Sequence, residues 1–506
     1  MGMAVVNTRA GSGMEAPLVR VEVHLANGLP SFQLVGMAET SVKEARDRVR
    51  SALINSGFEF PAKRITVNLS PASIAKQGGQ YDLAIAIGIL VAHGTLAEAA
   101  VGRCEFLGEL ALTGELRGIS GIIPAVIACR NHGNTLFHPL ENRRESAIVE
   151  GATRYAADSL LAVYLHLSGT EPLVQDENAP LVCPTTARQD VWHGIHGQHQ
   201  AKRALMIAAA GAHNLLFTGP PGTGKSLLAS RLLHMLPPLS PEEALEVAAL
   251  HSLKQGGAAL QIQATRPFRS PHHTASAAAL TGGGANPQPG EVSLAHHGVL
   301  FLDELPEFGR RTLDVLREPL ETGEVHISRA SANAVYPARF QLIAAMNPSP
   351  TGDIHDWRTP PDQILRYLSR VSGPLLDRID IQVEVPRLPE YQLSLWQDKD
   401  EPDDIKKPGE KAMEARNRQL QRQGVLNAHI PVTQLADCCQ LTEQDLDFIQ
   451  LAAEKLSLSM RAFHRTLKVA RTIADLAGED HVNRHHLAEA LGYRALDSLI
   501  QQLSSG

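Results

Sequence analysis

Several groups of residues are spaced for phosphate chemistry. The run Gly219-Pro220-Pro221-Gly222-Thr223-Gly224-Lys225-Ser226 has the form G-x-x-x-x-G-K-[ST]. An apolar stretch (Leu215, Leu216, Phe217) precedes it, and a helical pattern (Leu227, Leu228, Ala229, Leu232, Leu233) follows. Strand, glycine-rich loop and helix start make a cradle whose backbone N–H groups converge on one anion. Gly222 and Gly224 permit the backbone angles that aim those groups. Lys225 is expected to neutralise β/γ-phosphate charge, and Ser226 to hold Mg²⁺, which takes a few protein oxygens and phosphate.

Downstream, Val299-Leu300-Phe301-Leu302 reads as a buried strand with Asp303 and Glu304 at its C-terminal end. Open α/β sheets place their ligands there. Asp303 is assigned to the Mg²⁺ shell, and Glu304 to orienting or deprotonating the attacking water. Such an acid pair is weak evidence alone but strong 78 residues beyond Lys225. Phe340 to Met346 is a second buried strand, and Asn347 after it is placed to polarise the water or sense the γ-phosphate. Arg378 precedes a further strand, Ile381 to Val385; a salt bridge to Asp377 or Asp380 is its alternative role. Arg461 opens a long helix and is expected to point from a helical lid into the nucleotide cleft. A cation in a first turn is not favoured by the helix dipole, which supports a functional reason for it.

These residues need a scaffold. At 506 residues, three domains is a fair prior. Net charge is −7, so any nucleic-acid contact must be local, through patches or a lined channel. Cys104, Cys129, Cys183, Cys438 and Cys439 form no C-x-x-C pair, which suits reduced thiols in a cytoplasmic protein. No leader-like apolar segment opens the chain, and the longest apolar stretch, Leu83 to Ala92, is too short to span a bilayer.

In chain order, Val5-Val6, Val19 to Leu25, Phe32 to Val35 and Ile65 to Leu69 read as strands. Ser41 to Asn55, Asp82 to Val91 and Ile123 to Arg130 read as helices. Arg46, Arg48 and Arg50 are expected on a solvated helix face. Phe106 to Leu110 and Gly114 to Arg117 suggest a hairpin. Residues 171–189, Pro-rich and polar, read as a linker. Ser240 to Leu253 is a helix with acids in its first turn. The Arg266 to Thr274 run and Gly282-Gly283-Gly284 follow, rich in Gly, Pro, Arg and His. His272-His273 finds no further metal ligands nearby, and His196 and His199 find none either. Arg310 to Leu320 is a helix, and Glu324 to Arg329 with Ala334 to Pro337 frame a hairpin. Residues 391–411 form a charged connector, and 412–506 an all-α lid with helices at Ala412–Gln423, Thr442–Lys455, Met460–Ala477, Arg484–Gly492 and Ala495–Leu503.

Two resemblances follow from these residues. Gly78 to Ala86 and Gly108 to Arg117 resemble the Lon-protease-type domain, a fold shared with the recombination protein RadA. In a Lon peptidase the serine nucleophile falls at or near Tyr81 and the lysine base near Ala125. With neither present, residues 1–170 are expected to be a non-peptidase α+β scaffold. The whole chain resembles the magnesium-chelatase-like family of AAA+ ATPases, and within it the ComM/YifB proteins. The diagnostic run is Arg266 to Thr274 through Gly282–Gly284 to Glu291–His296, flowing into Val299 to Glu304.

The resemblance implies a P-loop α/β core over 190–390 that binds ATP and Mg²⁺. Gly219 to Ser226 would be Walker A, Asp303 and Glu304 Walker B, Asn347 sensor 1, Arg378 the arginine finger and Arg461 sensor 2. Ile195 to Gln198 resembles the adenine-side motif, and Gln198 is counted with the nucleotide contacts. An arginine finger acts across a subunit boundary, so a ring is implied, with six subunits the family expectation. ComM-like proteins are associated with branch migration in natural transformation. That implies a DNA motor gripping single-stranded or branched DNA without regard to sequence, with Arg266, Arg269, His272, His273 and Arg329 as candidate contacts. Relatives often carry cysteines just after the sensor-1 Asn-Pro. Ser349 to Gly352 stand here instead, so no structural zinc is expected. A chelatase-type motor is the alternative, but no D-x-S-x-S signature is present; a Lon-like protease is disfavoured by Tyr81 and Ala125.

Overall fold

The structure, a computed structural model, describes residues 2–11, 13–36, 39–74, 76, 78–179, 191–254, 265–284, 287–329, 332–352, 360–387, 405–456, 458–494 and 496. The alternation Val19-Arg20-Val21-Glu22-Val23 puts every second side chain on one face. That face is buried in β2 (Leu18–Ala26), which pairs antiparallel with β1 (Gly2–Arg9) along its length. With β3 (Ser31–Val35), β4 (Arg64–Ser70), β5 (Cys104–Phe106), β8 (Thr135–Pro139) and β9 (Thr153–Ala157), they form a seven-stranded mixed sheet in the order β3-β4-β2-β1-β5-β8-β9. Helix α1 (Glu39–Asn55) and the all-round apolar α2 (Asp82–His93) cover it; α2 is buried at Asp82 through Ala92, as a helix without a polar face must be. Gly88 is required there, because a Cβ would meet the Val23 side chain at 2.7 Å.

The expected hairpin is shorter than read: β6 (Glu109–Leu110) pairs with β7 (Leu116–Arg117), and Phe106 belongs to the large sheet. Arg48 is not on a solvated face. Its Nε donates to the fully buried carboxylate of Asp82 at 2.6 Å, because a buried carboxylate at the start of α2 needs a cation. Residues 171–179, read as the first half of a linker, are strapped to this sheet. Asp176 N donates to Arg154 O (3.0 Å) and Ala179 N to Ala147 O (3.0 Å), while the buried Arg154 guanidinium donates to Glu177 O (2.8 Å) and Asn178 Oδ1 (3.0 Å). The rest of that linker, 180–189, lies outside the described residues.

Three helices complete this region: α3 (Ile122–Asn131), α4 (Arg143–Ser146) and α5 (Leu160–Leu167). The core then begins with α6 (His199–Gly211), β10 (Leu215–Thr218), α7 (Lys225–Arg231) and α8 (Pro241–Lys254). Strands β11 (Phe268–Arg269), β14 (Val299–Leu302), β17 (Gln341–Met346) and β18 (Ile381–Glu384) join β10 in a parallel five-stranded sheet ordered β11-β14-β17-β10-β18. Its strands are near-continuous apolar runs, as expected for a sheet covered on both faces. Two small antiparallel pairs project from it: β12 (Gly282–Gly283) with β13 (Gln288–Pro289), and the hairpin β15 (Glu324–Arg329) with β16 (Ala332–Pro337).

Beyond 405 the described chain is helical, at Pro408–Gln423, Val432–Cys439, Glu443–Lys455, Met460–Ala477 and Arg484–Gly492. The Met460–Ala477 helix has the ends its sequence predicts. Ser459 Oγ accepts from Ala462 N, and Gly478 closes it at φ 82°. Apart from Leu496, the expected last helix lies outside the described residues, as does most of the charged connector. Leu205 and Ala208 of α6 share one apolar cluster with Leu467, Ala470 and Ile473, so the helical region packs directly on the core. The N-terminal region docks through α3 on α8: Gly121 N donates to Ser252 O (2.8 Å), and Ile123, Val126 and Ala249 bury each other. No described helix is long and apolar enough to cross a membrane.

Candidate active site

Because the five core strands are parallel, their C-terminal ends lie on one edge, and the loops leaving them meet there. The loop after β10 carries Gly219 to Ser226. Gly219 lies so close to β18 that a Cβ would meet Val385 O at 2.2 Å. Gly222 (φ 78°) and Gly224 (φ 87°) adopt the left-handed angles the cradle requires. Thr223 Oγ1 donates back to Pro220 O at 3.0 Å and ties the loop.

Lys225 is buried at the first turn of α7. Its Nζ donates to Gly219 O and Pro220 O at 2.8 Å, and to Asn347 Oδ1 at 3.2 Å. Burial holds its pKa below the usual lysine value, against the pull of Asp303 and Glu304. Among the described residues, all its partners but Asn347 are main-chain carbonyls, so no described carboxylate bonds the ammonium. Ser226 Oγ donates to Asp303 Oδ2 at 2.6 Å, and Asp303 Oδ1 accepts from Glu304 N at 2.9 Å. Ser226 and Asp303 are hard oxygen donors side by side, which fits Mg²⁺. Adjacent ligands of that ion stand about 2.9 Å apart, so the pair need open only slightly. Glu304 leaves the strand with φ 52°, and its Oε2 lies 3.1 Å from His273 Nδ1.

Gln198 also takes a left-handed φ of 53°, starts α6, and donates from Nε2 to Pro386 O at 2.8 Å, just beyond β18. Arg231 of α7 holds the neighbouring segment by donating to His193 O at 2.6 Å. The Trp192–Gln198 segment is therefore fixed between α7 and the end of β18.

The two arginines lie elsewhere. Leu215 pairs with Ile381 and Thr218 with Glu384, so residue 378 falls before the start of β18, at the sheet edge opposite the phosphate loop. A four-residue strand separates the two edges by about 13 Å. Arg378 is buried there. It donates to Arg317 O (3.1 Å) and Pro374 O (2.6 Å) and pairs with Glu321 rather than with Asp377 or Asp380. Arg461, expected to point into the chain's own nucleotide cleft, instead stands with its NH2 group 4.0 Å from that same Glu321. The Met460–Ala477 helix sets this direction, because Arg465, one turn on, is pinned to Asp380 in front of β18. Glu321 is the residue sequence reasoning missed; its only signal is a position at the end of a predicted helix.

The candidate DNA contacts separate. Arg266 is a half-buried strut, donating to Pro237 O (2.7 Å) and His297 O (2.6 Å) and pairing with Glu243 at 3.1 Å. Arg269 is paired with Glu291 at 2.6 Å. Neither is a free tip. His273 faces Glu304, while His272 is exposed, with its ring 4.1 Å from that of His273. The backbone of Arg329 ends β15, opposite Ala332 at the tip of the hairpin.

Glu246, His296 and His297 also meet, both rings lying 2.8 Å from Glu246 Oε2 through Nε2. The donor set does not fit a cation. Arg339 N donates to His296 Nδ1 at 3.0 Å, so the remaining ring proton sits on Nε2 and points at the carboxylate. Burial lowers this histidine to about 4, leaving it neutral. The cluster clamps α8 to the turn before β14.

Family models match along the chain: "Magnesium chelatase, subunit ChlI" over residues 191–393, "Subunit ChlI of Mg-chelatase" over 21–142, and "Magnesium chelatase, subunit ChlI C-terminal" over 406–494. The chain is 51% identical to the competence protein ComM of Haemophilus influenzae, covering 100% of both sequences. It is 50% identical to the YifB protein of Salmonella typhimurium, covering 99% of each. The 38 kDa magnesium-chelatase subunit of Rhodobacter capsulatus is 27% identical over 58% of this chain and 83% of its own length.

Proposed function

Since this chain belongs to the magnesium-chelatase-like AAA+ family that includes the ComM and YifB proteins, we propose that it is an ATP-driven DNA motor. It acts as a hexameric ring in the cytoplasm and promotes branch migration when incoming DNA recombines during natural transformation. The observation that carries the ATPase half is the convergence of Lys225, Asn347, Ser226, Asp303 and Glu304 at one sheet edge. Full-length identity of 51% to a protein named for competence supports the DNA half.

In this reading the N–H groups of Gly219 to Ser226 and the Lys225 ammonium bind the phosphates, and Gln198 sits at the adenine side. Ser226 and Asp303 would hold Mg²⁺, which would supply neutralisation of phosphate charge. Glu304 takes the proton of the attacking water. The water oxygen bonds to the γ-phosphorus as the bond to the bridging oxygen of ADP breaks. Asn347, already bonded to Lys225, orients the water. Arg378 and Arg461 stand at the opposite edge, so they serve the phosphates of a neighbouring subunit. The β15–β16 hairpin, with Arg329 at its tip, and His272 would grip DNA phosphates in the ring's pore. The region 1–170 acts as a Lon-like scaffold without peptidase chemistry: Tyr81 is buried, with its phenol pushed up to about 12, and Ala125 offers no base. The core over 190–390 and the lid from 412 complete the proposed domain plan.

The test is ATPase activity with no DNA, single strands, duplex and a four-way junction, followed by junction dissociation. Stimulation by DNA with junctions taken apart is expected. Intact junctions and no stimulation would sink the motor reading and leave the ATPase. The relation to the chelatase subunit keeps metal insertion into a porphyrin as the second reading, for which ATPase would respond to metalloporphyrin substrates and not to DNA.

A further inference from the structure

Two arginines that stand at the sheet edge away from the phosphate loop share one carboxylate oxygen. Glu321 lies on a single helical turn, Pro319–Thr322, which Gly323 closes at φ 73°. Its Oε1 accepts from Arg378 Nη2, and Arg461 Nη2 stands 4.0 Å from the same atom. The rest of the Arg378 guanidinium is fixed without Glu321: Nε donates to Arg317 O at 3.1 Å and Nη1 to Pro374 O at 2.6 Å. Burial holds the Arg378 pKa below the usual arginine value, against the pull of Glu321, and the charges of Arg461, Arg317 and Arg465 add to that lowering. Among the described ion pairs, Asp380 answers Arg465 and Asp314 answers Arg317, at 3.9 Å, so Glu321 alone answers two arginines. Two guanidiniums on one oxygen is also how a phosphoryl oxygen is gripped. The Glu321 side chain is half exposed, so it has room to swing aside.

We propose that Glu321 stands in for a neighbour's phosphate: its carboxylate occupies the Arg378 and Arg461 guanidiniums until the triphosphate bound to the next subunit displaces it. This rests on the reading of both arginines as serving a neighbouring subunit. Only the contacts to Glu321 exchange. The carbonyls of Arg317 and Pro374 keep Arg378 in place, so the arriving oxygen meets a guanidinium that is already oriented. A subunit whose neighbour is empty keeps its buried arginine neutralised. ATP affinity at each boundary is then a competition between a phosphate and a carboxylate for the same two donors.

The test is steady-state hydrolysis by the full chain over a range of ATP concentrations. Arginines free for about one-fifth of the time bind phosphate about 5-fold more weakly than arginines always free. Glu321→Gln should therefore lower KM for ATP about 5-fold and keep kcat within about 2-fold of the wild type. Glu321→Asp, with its charge one carbon further back, should give a KM between the two. Glu318→Gln removes an exposed acid one turn earlier and should leave KM within about 1.5-fold. The thermal midpoint of Glu321→Gln should stay within about 3 °C of the wild type, because the carboxylate is half exposed. An unchanged or raised KM in Glu321→Gln, an equal fall in Glu318→Gln, or a Glu321→Gln chain that fails to fold would each overturn the proposal, the last by making Glu321 a brace for Arg378. Arg378→Ala alone tests the premise: wild-type turnover there means that this arginine serves no phosphate, whatever Glu321 does.

Discussion

In the N-terminal sheet three sets of buried charges close on one another. Arg9 holds Glu105 through two bonds of 2.6 Å, Arg48 holds Asp82, and Asp176 is shared by Arg143 (2.9 Å) and His138 (3.1 Å). At the phosphate-loop edge of the core sheet they do not. Lys225 spends its protons on carbonyls and an amide, Ser226 leans on Asp303, and Glu304 is exposed with a histidine, His273, as its partner. Both regions are α/β layers with apolar interiors, so burial alone does not mark function. The useful distinction is whether a charge is neutralised within its own fold. Breaking a closed pair should cost stability and leave chemistry intact, whereas breaking an open group should cost chemistry and leave stability intact.

The largest effect belongs to Arg378 at the far sheet edge, which is buried and paired with Glu321 in its own fold yet is proposed to serve a neighbour's phosphates, so it strains the distinction most. Arg378→Ala should lower ATP turnover about 10³-fold while ATP still binds. Mixing sharpens this. A Lys225→Ala subunit has no working pocket but keeps its arginines, and an Arg378→Ala subunit is the reverse. Mixed rings should hydrolyse ATP well above the sum of the separate proteins. No recovery on mixing, with mixed assembly verified, would return Arg378 to its own subunit.

Next is Glu304→Gln, expected to cut turnover roughly 10²-fold or more without weakening ATP binding. The thermal midpoint should stay within about 2 °C of the wild type, because the side chain is exposed and its partner His273 is not buried. A loss of stability matching the loss of activity would erase the distinction between open and closed charges.

What the sequence made legible follows the same line. The phosphate loop could be read because its geometry is local: eight consecutive residues with glycines where φ must be positive. Asp303, Glu304 and Asn347 could be read because buried parallel strands end on one edge. Arg266 was misread because its partners, Pro237 O, His297 O and Glu243, come from three separate segments. Arg461 was misdirected because the lid's seating on α6 and the Arg465–Asp380 pair set its heading. Strands β5, β8 and β9 escaped because they are three to five residues long and lie next to stronger helical patterns. Residues 171–179 look like a linker in composition, and distant partners, the buried Arg154 with Ala147, His138 and Arg143, make them part of the sheet's edge.

A closed pair gives a smaller effect. Arg48→Ala leaves Asp82 buried without its cation. Burial already pushes this carboxyl up to about 7, against the pull of Arg48. Removing Arg48 lets it take a proton, which limits the cost to roughly 2 kcal/mol near neutral pH. The deficit should shrink toward pH 5, where the carboxyl is protonated in either protein. ATP turnover at 25 °C should remain near the wild-type value. A collapse of turnover with an unchanged melting profile would place this pair in the machinery.

The smallest effect tests the seam between the two regions. Glu145 of α4 is buried where α3 meets α8, and burial pushes its carboxyl up to about 7, against the pull of Ser252 and Asn142. The folded pKa lies above the unfolded one, so the proton is held more tightly in the folded state. The stability this group contributes is therefore present below about pH 4 and lost as pH rises toward 7. Glu145→Gln keeps the hydrogen-bonding shape and removes the charge. Its thermal midpoint should exceed the wild type by about 2–4 °C at pH 8 and match it within about 1 °C at pH 5. Equal midpoints at both pH values would mean that the carboxylate finds solvent at the seam, and that α3 and α8 pack less tightly than Gly121, Ile123 and Ser252 imply.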